Sequence, residues 1–175
     1  MRHYIEQNNA MARYKGRFAT DNDGTRHPLK ALTRAEKAAM GVYEAERVEA
    51  EAPSQWHRQT DVDRQLDGDV VKETPVFEPI PTEQIKKRLR RAVDDHVEQT
   101  ARERDYSSAV SLASYTASTK PDWAAEAQAF VEWRDAVWEY VYQRLAAVES
   151  GEDELPESIE AFIQDLPAIS WPEDD

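Results

Sequence analysis

The sequence predicts an α+β fold, a small β-rich N-terminal module followed by a four-helix C-terminal module. Three observations predict this division. Short runs of β-forming residues alternate with turn signals over the first part of the chain. Pro75, Pro79 and Pro81 then fall within a few residues, where regular hydrogen bonding is interrupted. Beyond them, apolar residues recur at helical spacing. We therefore expect a β-rich module with one short helix over 1–78, a helical module over 82–171, and an acidic end at 172–175.

The first module should begin with paired strands and continue into a short helix. Residues 2–20 are rich in β-forming residues, and Asn8-Asn9 is a turn signal among them because asparagine tolerates a positive φ. The helix should follow over 34–40. Thr33 is its expected N-cap, and Gly41 is its expected stop.

A hairpin should complete the first module over residues 55–77. Its turn signal is Asp67-Gly68. Pro75 has no N–H to donate, so the returning strand should lie at a sheet edge or end there. Residues 44–54, which are rich in Glu and Ala, predict a linker or weak helix before this hairpin.

The helical module should hold four helices. Thr82 is the expected N-cap of the first, which should run over 83–104. A short helix near 107–115, a long helix over 121–149 and a last helix near 157–165 should follow. One face of the first helix should be buried, because its apolar residues fall on one side at 100° per residue: Ile85, Leu89, Ala92, Val93 and His96.

Composition limits the chemistry of the chain. There is no cysteine, which excludes disulfides, thiolate metal sites and cysteine nucleophiles and favours a reducing compartment. The first residues lack the apolar stretch of a signal peptide, and no apolar run approaches the roughly 20 residues of a membrane span. The net charge is -13, and residues 149–175 hold ten acidic residues and no basic one. Such an end either stays solvated or docks on a basic partner.

No motif indicates a catalytic, cofactor or metal site. The four histidines are scattered singly, and none has a second ligand three or four residues away. The turn at 21–24 resembles a calcium loop, but its first and twelfth positions would be Ala19 and Lys30, which are not suitable ligands. The serines between 107 and 118 lack the strand–turn–helix setting of a nucleophile elbow. We therefore expect no enzyme, no cofactor and no bound metal.

One basic cluster, KKRLRR over 86–91, raises the question of nucleic-acid binding. On a helix its charges spread nearly all round, whereas phosphate contacts would favour a single stripe. Asp94, Asp95 and Glu98 follow one turn later as possible i,i+3 or i,i+4 partners. We expect an exposed, self-neutralised collar and no nucleic-acid partner.

The long helix over 121–149 carries two apolar stripes. The main stripe should face the core: Trp123, Ala127, Phe130, Val137, Val141, Leu145 and Val148, widened by Val131 and Trp138. Trp133, Ala136 and Tyr140 form a second stripe, which the short helices, the N-terminal module or a partner protein would cover. Arg134 projects from the middle of the main stripe. We expect it to be a buried structural charge, paired with Asp94, Asp95, Glu98 or helix-end carbonyls.

Three short sequence motifs occur together in the helical module: YSSAVSLASY, FVEWRDAVWEY and FIQDLP. Over about residues 80–170 the chain resembles the C-terminal domain of proteins encoded beside tail-fibre genes in bacteriophages and prophages, the tail-fibre assembly chaperone-like proteins. Residues 2–46 also resemble the small N-terminal module of this family. The resemblance implies a phage origin, a β-then-α layout and non-enzymatic work on a tail or fibre protein, and it offers no catalytic residue.

We therefore expect a phage tail accessory protein, either a chaperone for tail-fibre folding or a small virion tail component. It would work in the host cytoplasm during assembly, or in the virion tail, on a tail or fibre protein. Neither nucleic acid nor membrane is expected as a partner, and a homo-oligomer is compatible with the sequence. The alternative is an acidic phage-encoded inhibitor that mimics nucleic acid and docks on a basic host protein. That function would need ordered carboxylates over a rigid face.

Overall fold

A computed structural model describes residues 1–172 and divides the chain into two compact units, Met1–Pro79 and Ile80–Asp175. The fold is α+β, as the sequence predicts. Unit 1 is built on a β-sheet and unit 2 on helices. The boundary between them falls inside the proline-rich stretch. Of the acidic end predicted at 172–175, residues 173–175 lie outside the described residues.

The strands of unit 1 form a five-stranded sheet and a separate two-stranded hairpin. The elements are β1 (His3–Gln7), β2 (Ala10–Tyr14), β3 (Phe18–Thr20), β4 (Arg26–Pro28), α1 (Arg34–Ala39), β5 (Tyr43–Arg47), β6 (His57–Asp67) and β7 (Val70–Pro79). The large sheet has the order β2-β1-β5-β7-β6, and β3 pairs with β4. Only the β5–β7 pair is parallel among the described strand pairs. The edge strands β2 and β6 also approach each other, so the sheet is curled toward closure.

The turn and cap signals of unit 1 act largely as predicted. Asn8 and Asn9 both have positive φ, 53° and 60°, which is the backbone of a two-residue hairpin turn between β1 and β2. Thr33 caps α1 through a capping box with Glu36. Gly41, at φ 72°, ends that helix. The turn between β6 and β7 lies one residue later than predicted, at 68–69.

The prediction of a linker or weak helix over 44–54 is wrong for its first residues. They form β5, which lies in the middle of the sheet between β1 and β7. Alternating Glu and Ala have low strand propensity, so the local sequence gives no strand signal. Pairing with β1 on one side and with β7 on the other holds these residues in the strand.

Pro75 does not confine β7 to a sheet edge along its whole length. Val70 to Glu73 pair with β5 on one side, while β6 pairs on the other side as far as Pro79. Pro75 comes two residues after the β5 pairing stops. Its missing N–H therefore breaks no ladder on that side, and the predicted extended connector begins only after Pro79.

The described helices of unit 2 are α2 (Thr82–Glu103), α3 (Ala109–Ala113), α4 (Pro121–Ser150) and α5 (Ile159–Gln164), with a 3₁₀ turn over 114–117. They lie close to the four predicted helices. Thr82 is wrong as an N-cap, because it is the first helical residue and Pro81 precedes it without a side-chain cap. Ser108 and Ser158 do cap α3 and α5 through their side chains.

The core of unit 2 forms where α2, α3, α4 and α5 pack together. The buried apolar residues are Ile85, Leu89, Val93, Val97, Ala101, Leu112, Ala127, Phe130, Trp133, Val137, Val141, Leu145 and Phe162. The main stripe of α4 is thus confirmed along most of its length. The two ends of the stripe depart from this, because Trp123 is 49% exposed in the first turn of α4 and Val148 is half-buried in the last. In the described part of the chain, no helix combines the length and apolarity needed to cross a membrane.

The acidic residues from 149 onward belong to a packed segment as far as Pro172. α5 contacts α2, and Phe162 and Leu166 are buried. Asp153 forms an ion pair with Arg144 near the end of α4. Most of the carboxylates in this segment are exposed to solvent. The chain that carries them is nevertheless packed as far as Pro172 and is not a free tail up to that point.

The basic cluster on α2 is divided, with one buried, paired lysine and four exposed residues. Lys86 is buried, and its Nζ lies 2.8 Å from Glu83 Oε1 and 3.0 Å from Glu149 Oε2. The other basic residues of the cluster are exposed, and within residues 1–172 they form no ion pair with the predicted acidic partners. Glu98 instead pairs with Arg102 at 2.9 Å.

Candidate functional site

The second apolar stripe of α4 is covered from within unit 2. Trp133 is buried, and its indole Nε1 donates a hydrogen bond to the carbonyl oxygen of Pro167 at 2.7 Å. The ring of Tyr140 lies 6.5 Å from that of Phe162 on α5. Ala136 alone of the predicted set is exposed. The geometry matches the core-packing alternative for Trp133, while a partner role for the set stays a prediction.

Arg134 is not the buried charge that the sequence predicts. Its side chain is 34% exposed, and its Nε and Nη2 donate to Oδ1 of the adjacent Asp135 at 3.0 and 2.8 Å. Among the described residues it has no ion pair with the acids of α2. The long side chain reaches solvent although its position lies within the apolar stripe, so the guanidinium needs no buried partner.

The opposite side of α4 presents the aromatic surface that sequence reasoning missed. Trp138 and Tyr142 are four residues apart, and their ring centroids lie 5.6 Å apart at an interplanar angle of 34°. Tyr142 is 59% exposed, while Trp138 and Val131 are half-buried. We call Val131, Trp138 and Tyr142 the aromatic flank of α4. The sequence places two of them in the core stripe, because it does not show which side α5 covers.

A second aromatic surface lies at the start of α4. Tyr106, Tyr115 and Trp123 form a chain of edge-to-face contacts, with successive ring centroids 5.6 Å apart. They line a shallow pocket of about 420 Å³ together with Asp105 and Ser107, among others. Asp105 has a φ of 65°, a conformation that costs free energy in any residue but glycine. The rings are fixed by one another, so the pocket wall is rigid.

A hydrogen-bond network holds Tyr106 in the wall of this pocket. The Glu126 carboxylate accepts hydrogen bonds from the Tyr106 hydroxyl at 2.7 Å and from Arg104 Nε at 2.8 Å. Burial, and then the hydrogen bond to Glu126, raise the pKa of Tyr106 to about 12. Tyr106 therefore stays a neutral donor at physiological pH. The Arg104 guanidinium also lies 5.4 Å from the ring of Trp171, which ties the C-terminal segment to the end of α2.

Unit 1 holds two buried carboxylates on adjacent strands, which no sequence motif indicates. Glu44 on β5 accepts a hydrogen bond from Lys37 Nζ at 2.5 Å and one from Arg34 Nε at 3.4 Å. The Lys37 side chain, through its hydrogen bond and charge, lowers the pKa of Glu44 below its ordinary value despite burial. Because Glu44 pairs with Val70, it and Glu73 point to opposite faces of the sheet.

Glu73 on β7 is the centre of the second cluster. Its carboxylate accepts a hydrogen bond from Arg2 Nη1 at 2.8 Å and a short one from the Tyr4 hydroxyl. Arg64 lies 3.9 Å away and also donates to the Tyr4 oxygen at 3.3 Å. Burial works to raise the pKa of Glu73, but these donors together lower it. The carboxylate is therefore ionised and held in place, which is a structural role.

Two of the residue types considered for chemistry, His96 and the serines near Tyr106, lie in unit 2. Within residues 1–172, no group of three His, Asp or Glu side chains is placed to hold a metal ion. His96, expected to be a half-buried core residue, is half-buried and meets the Trp133 ring edge-on at 5.7 Å. The serines near Tyr106 line its pocket without a histidine beside them. What remains accessible are rigid aromatic surfaces on unit 2 and a basic pocket on unit 1, which is described below.

Comparison with known proteins finds no match for this chain among family models, curated proteins or solved structures. The resemblance to tail-fibre assembly proteins therefore rests on the sequence alone, on the motifs of the helical module and on residues 2–46.

Proposed function

We propose that this chain is a non-enzymatic phage tail accessory protein that binds a tail or fibre protein through the aromatic flank of α4. The observation that carries this proposal is the tilted ring contact between Trp138 and Tyr142, of which Tyr142 is 59% exposed on a long helix. The sequence resemblance supplies the class of partner.

Aromatic residues on a fixed helix suit a docking role. Tyr and Trp bring a large contact area and lose little conformational entropy on binding, and they dominate the energetics of protein interfaces. Trp138 already limits the rotamers of Tyr142 through ring contact. The partner would therefore meet a surface that is ordered before binding.

The exposed Trp123 extends the binding surface toward the start of the same helix. Its ring is held edge-on by Tyr115, and acidic residues lie close by, at Asp105 and Glu126. A partner segment with apolar and basic side chains would be complementary to that end of α4.

The inhibitor alternative would need a rigid, continuous row of free carboxylates. Glu132, Asp135 and Glu139 do lie on one exposed side of α4. Asp135, however, is paired with Arg134, and the basic residues of α2 are exposed within the same unit. We therefore favour the tail accessory function.

The test is co-expression with the fibre protein encoded beside this chain, followed by co-purification. Tyr142→Ala should leave the fold intact, because surface substitutions usually change the free energy of unfolding by less than about 0.5 kcal/mol. It should also reduce recovery of the fibre protein about tenfold or more, as expected for an interface anchor. Gln143→Ala is the matched control, since Gln143 is the exposed neighbour on the same helix.

A folded Tyr142→Ala protein that still recovers the fibre protein at the wild-type level would contradict the proposal. Equal loss with Gln143→Ala would contradict the choice of surface. Mass spectrometry of purified virions separates the two forms of the function, because a chaperone is absent from the particle and a tail component is present.

A further inference from the structure

Unit 1 contains a cavity of about 680 Å³ that opens beside the β3–β4 hairpin. This volume lies within the range of small-molecule sites, about 300–1,000 Å³. The pocket lies in unit 1 and is independent of the docking surface proposed for unit 2.

The charge of this pocket is opposite to that of the protein. Its ionisable lining residues are Arg17, Lys30, Lys37 and His3, and no acidic residue lines it among those described. The chain as a whole carries a net charge of -13. Lys37 is committed to Glu44, but Arg17 and Lys30 are exposed and form no ion pair within residues 1–172. Two cations in a concave site favour a bound anion.

His3 adds a buried polar atom without a partner. Its Nε2 is the one buried side-chain nitrogen or oxygen in the described residues that has no hydrogen-bond partner. Such a group costs free energy unless something satisfies it. Burial and then the charge of Lys37 lower the pKa of His3, so the ring is neutral at physiological pH. Because Nε2 is itself inaccessible, His3 contributes a neutral ring to the pocket wall and no donor to a ligand.

The remaining lining is apolar and rigid. Phe18 lines the pocket and is partly exposed, and the Arg26 guanidinium lies 4.7 Å from its ring. Leu29 belongs to the core cluster of unit 1 with Ala19 and Val42. The Tyr14 hydroxyl donates to the Phe18 carbonyl oxygen at 2.6 Å, which fixes the strand that carries Phe18.

We propose that this pocket binds an organic anion with an aromatic or branched apolar body, whose carboxylate or phosphate contacts Arg17 and Lys30. The apolar body packs against Phe18 and Leu29, and the neutral His3 ring forms part of the wall beside Lys37. A free organic acid and the terminal carboxylate of a peptide share this chemistry.

Binding is tested on the full chain with indole-3-propionate and its neutral analogue indole-3-propionamide. Titration is followed by two-dimensional NMR of backbone amides around Phe18 and Leu29 and by calorimetry. The acid should bind with a saturable shift at about millimolar concentration or below, and the amide about tenfold more weakly, because a charge-assisted hydrogen bond is lost. The acid should also raise the pKa of His3, measured from its ring signals, because a nearby anion favours the protonated ring.

The matched variants separate the pocket from general positive charge. Arg17→Gln with Lys30→Gln should weaken binding of the acid about tenfold or more. The control is Arg13→Gln with Lys15→Gln. It removes two exposed basic residues that precede the pocket residues in sequence but do not line the pocket, and it should leave binding unchanged. A short peptide that ends in tryptophan, tested with a free and with an amidated C-terminus, distinguishes a peptide ligand from a free acid. If the natural ligand is a peptide, the peptide with the free C-terminal carboxylate should bind more tightly than indole-3-propionate.

Three results would overturn the proposal: no saturable shift with the acid at several times the expected concentration, equal binding of the acid and its amide, or equal weakening in the two double variants. An unchanged His3 pKa in the presence of bound acid would also overturn it, because the anion would then lie away from the pocket that His3 lines.

Discussion

Replacing Glu44 with glutamine should destabilise unit 1 far more than the same replacement at Glu73. Both carboxylates are buried in the sheet, but their partners differ in exposure. Lys37 and Glu44 are each only 8% exposed. Glu73 is paired with Arg2 and Arg64, whose side chains both reach solvent. Removing the negative charge therefore strands a buried ammonium in one case and two accessible guanidinium groups in the other.

The expected magnitudes follow from this difference. Breaking a buried pair by removing one partner costs about 3–5 kcal/mol, and Glu44→Gln should fall near the lower end because the amide oxygen can still accept from Lys37. Glu73→Gln should cost about 1–2 kcal/mol, the cost of a weakened hydrogen bond once the arginines turn to water. Adding Lys37→Met to Glu44→Gln should recover part of the loss, because the stranded charge is removed as well.

Hydrogen exchange of the β5 amides in the full chain measures the effect where it occurs, without assuming that both units unfold together. The free energy of opening should drop most in Glu44→Gln, less in the double variant and least in Glu73→Gln. Equal losses at Glu44 and Glu73, or a double variant less stable than Glu44→Gln alone, would refute the reasoning. Either result would mean that Lys37 finds water or another acceptor when its partner is lost.

Three further predictions follow from the structure. Because Lys37 holds the pKa of Glu44 below its ordinary value, the pair stabilises unit 1 above about pH 4.3 and loses this contribution as the pH falls through the lower folded value. The free energy of opening at β5, obtained from exchange rates corrected for the intrinsic rate at each pH, should therefore fall in acid less steeply in Glu44→Gln than in wild type. One tyrosine should ionise with a midpoint near pH 12 in an absorbance titration; Tyr106→Phe should remove this step, and Glu126→Gln should move it toward pH 10. Trp133→Ala should cost about 3–5 kcal/mol in urea unfolding followed by helical circular dichroism, and a loss below about 1 kcal/mol would show that this ring is not part of the core.

Local signals in the sequence predict the elements whose geometry is set locally. Asn8-Asn9, Thr33 and Gly41 each act where predicted, because a positive φ or a side-chain cap depends on the residue itself. The helical spacing of apolar residues likewise predicts α2 and α4 and most of the α4 core stripe. These parts of the fold could be derived without knowledge of any distant contact.

The elements missed are those that long-range pairing creates. β5 has a poor strand sequence, yet it sits at the centre of the sheet because Glu44 finds Lys37 and β7 supplies a parallel ladder. Neither partner is visible in the window 44–54. For the same reason, neither the two buried carboxylates nor the basic pocket of unit 1 could be predicted from spacing or composition.

The position of α5 decides which residues of α4 are accessible. Two sides of α4 are apolar, and the sequence alone gives them nearly equal claims to the core. α5 and the segment after it pack on the Trp133 side, where the Pro167 carbonyl accepts the indole hydrogen bond and Phe162 meets Tyr140. Only one side can then remain open, and it carries Tyr142. A six-residue helix near the end of the described chain therefore determines which aromatic residues are structural and which can meet a partner.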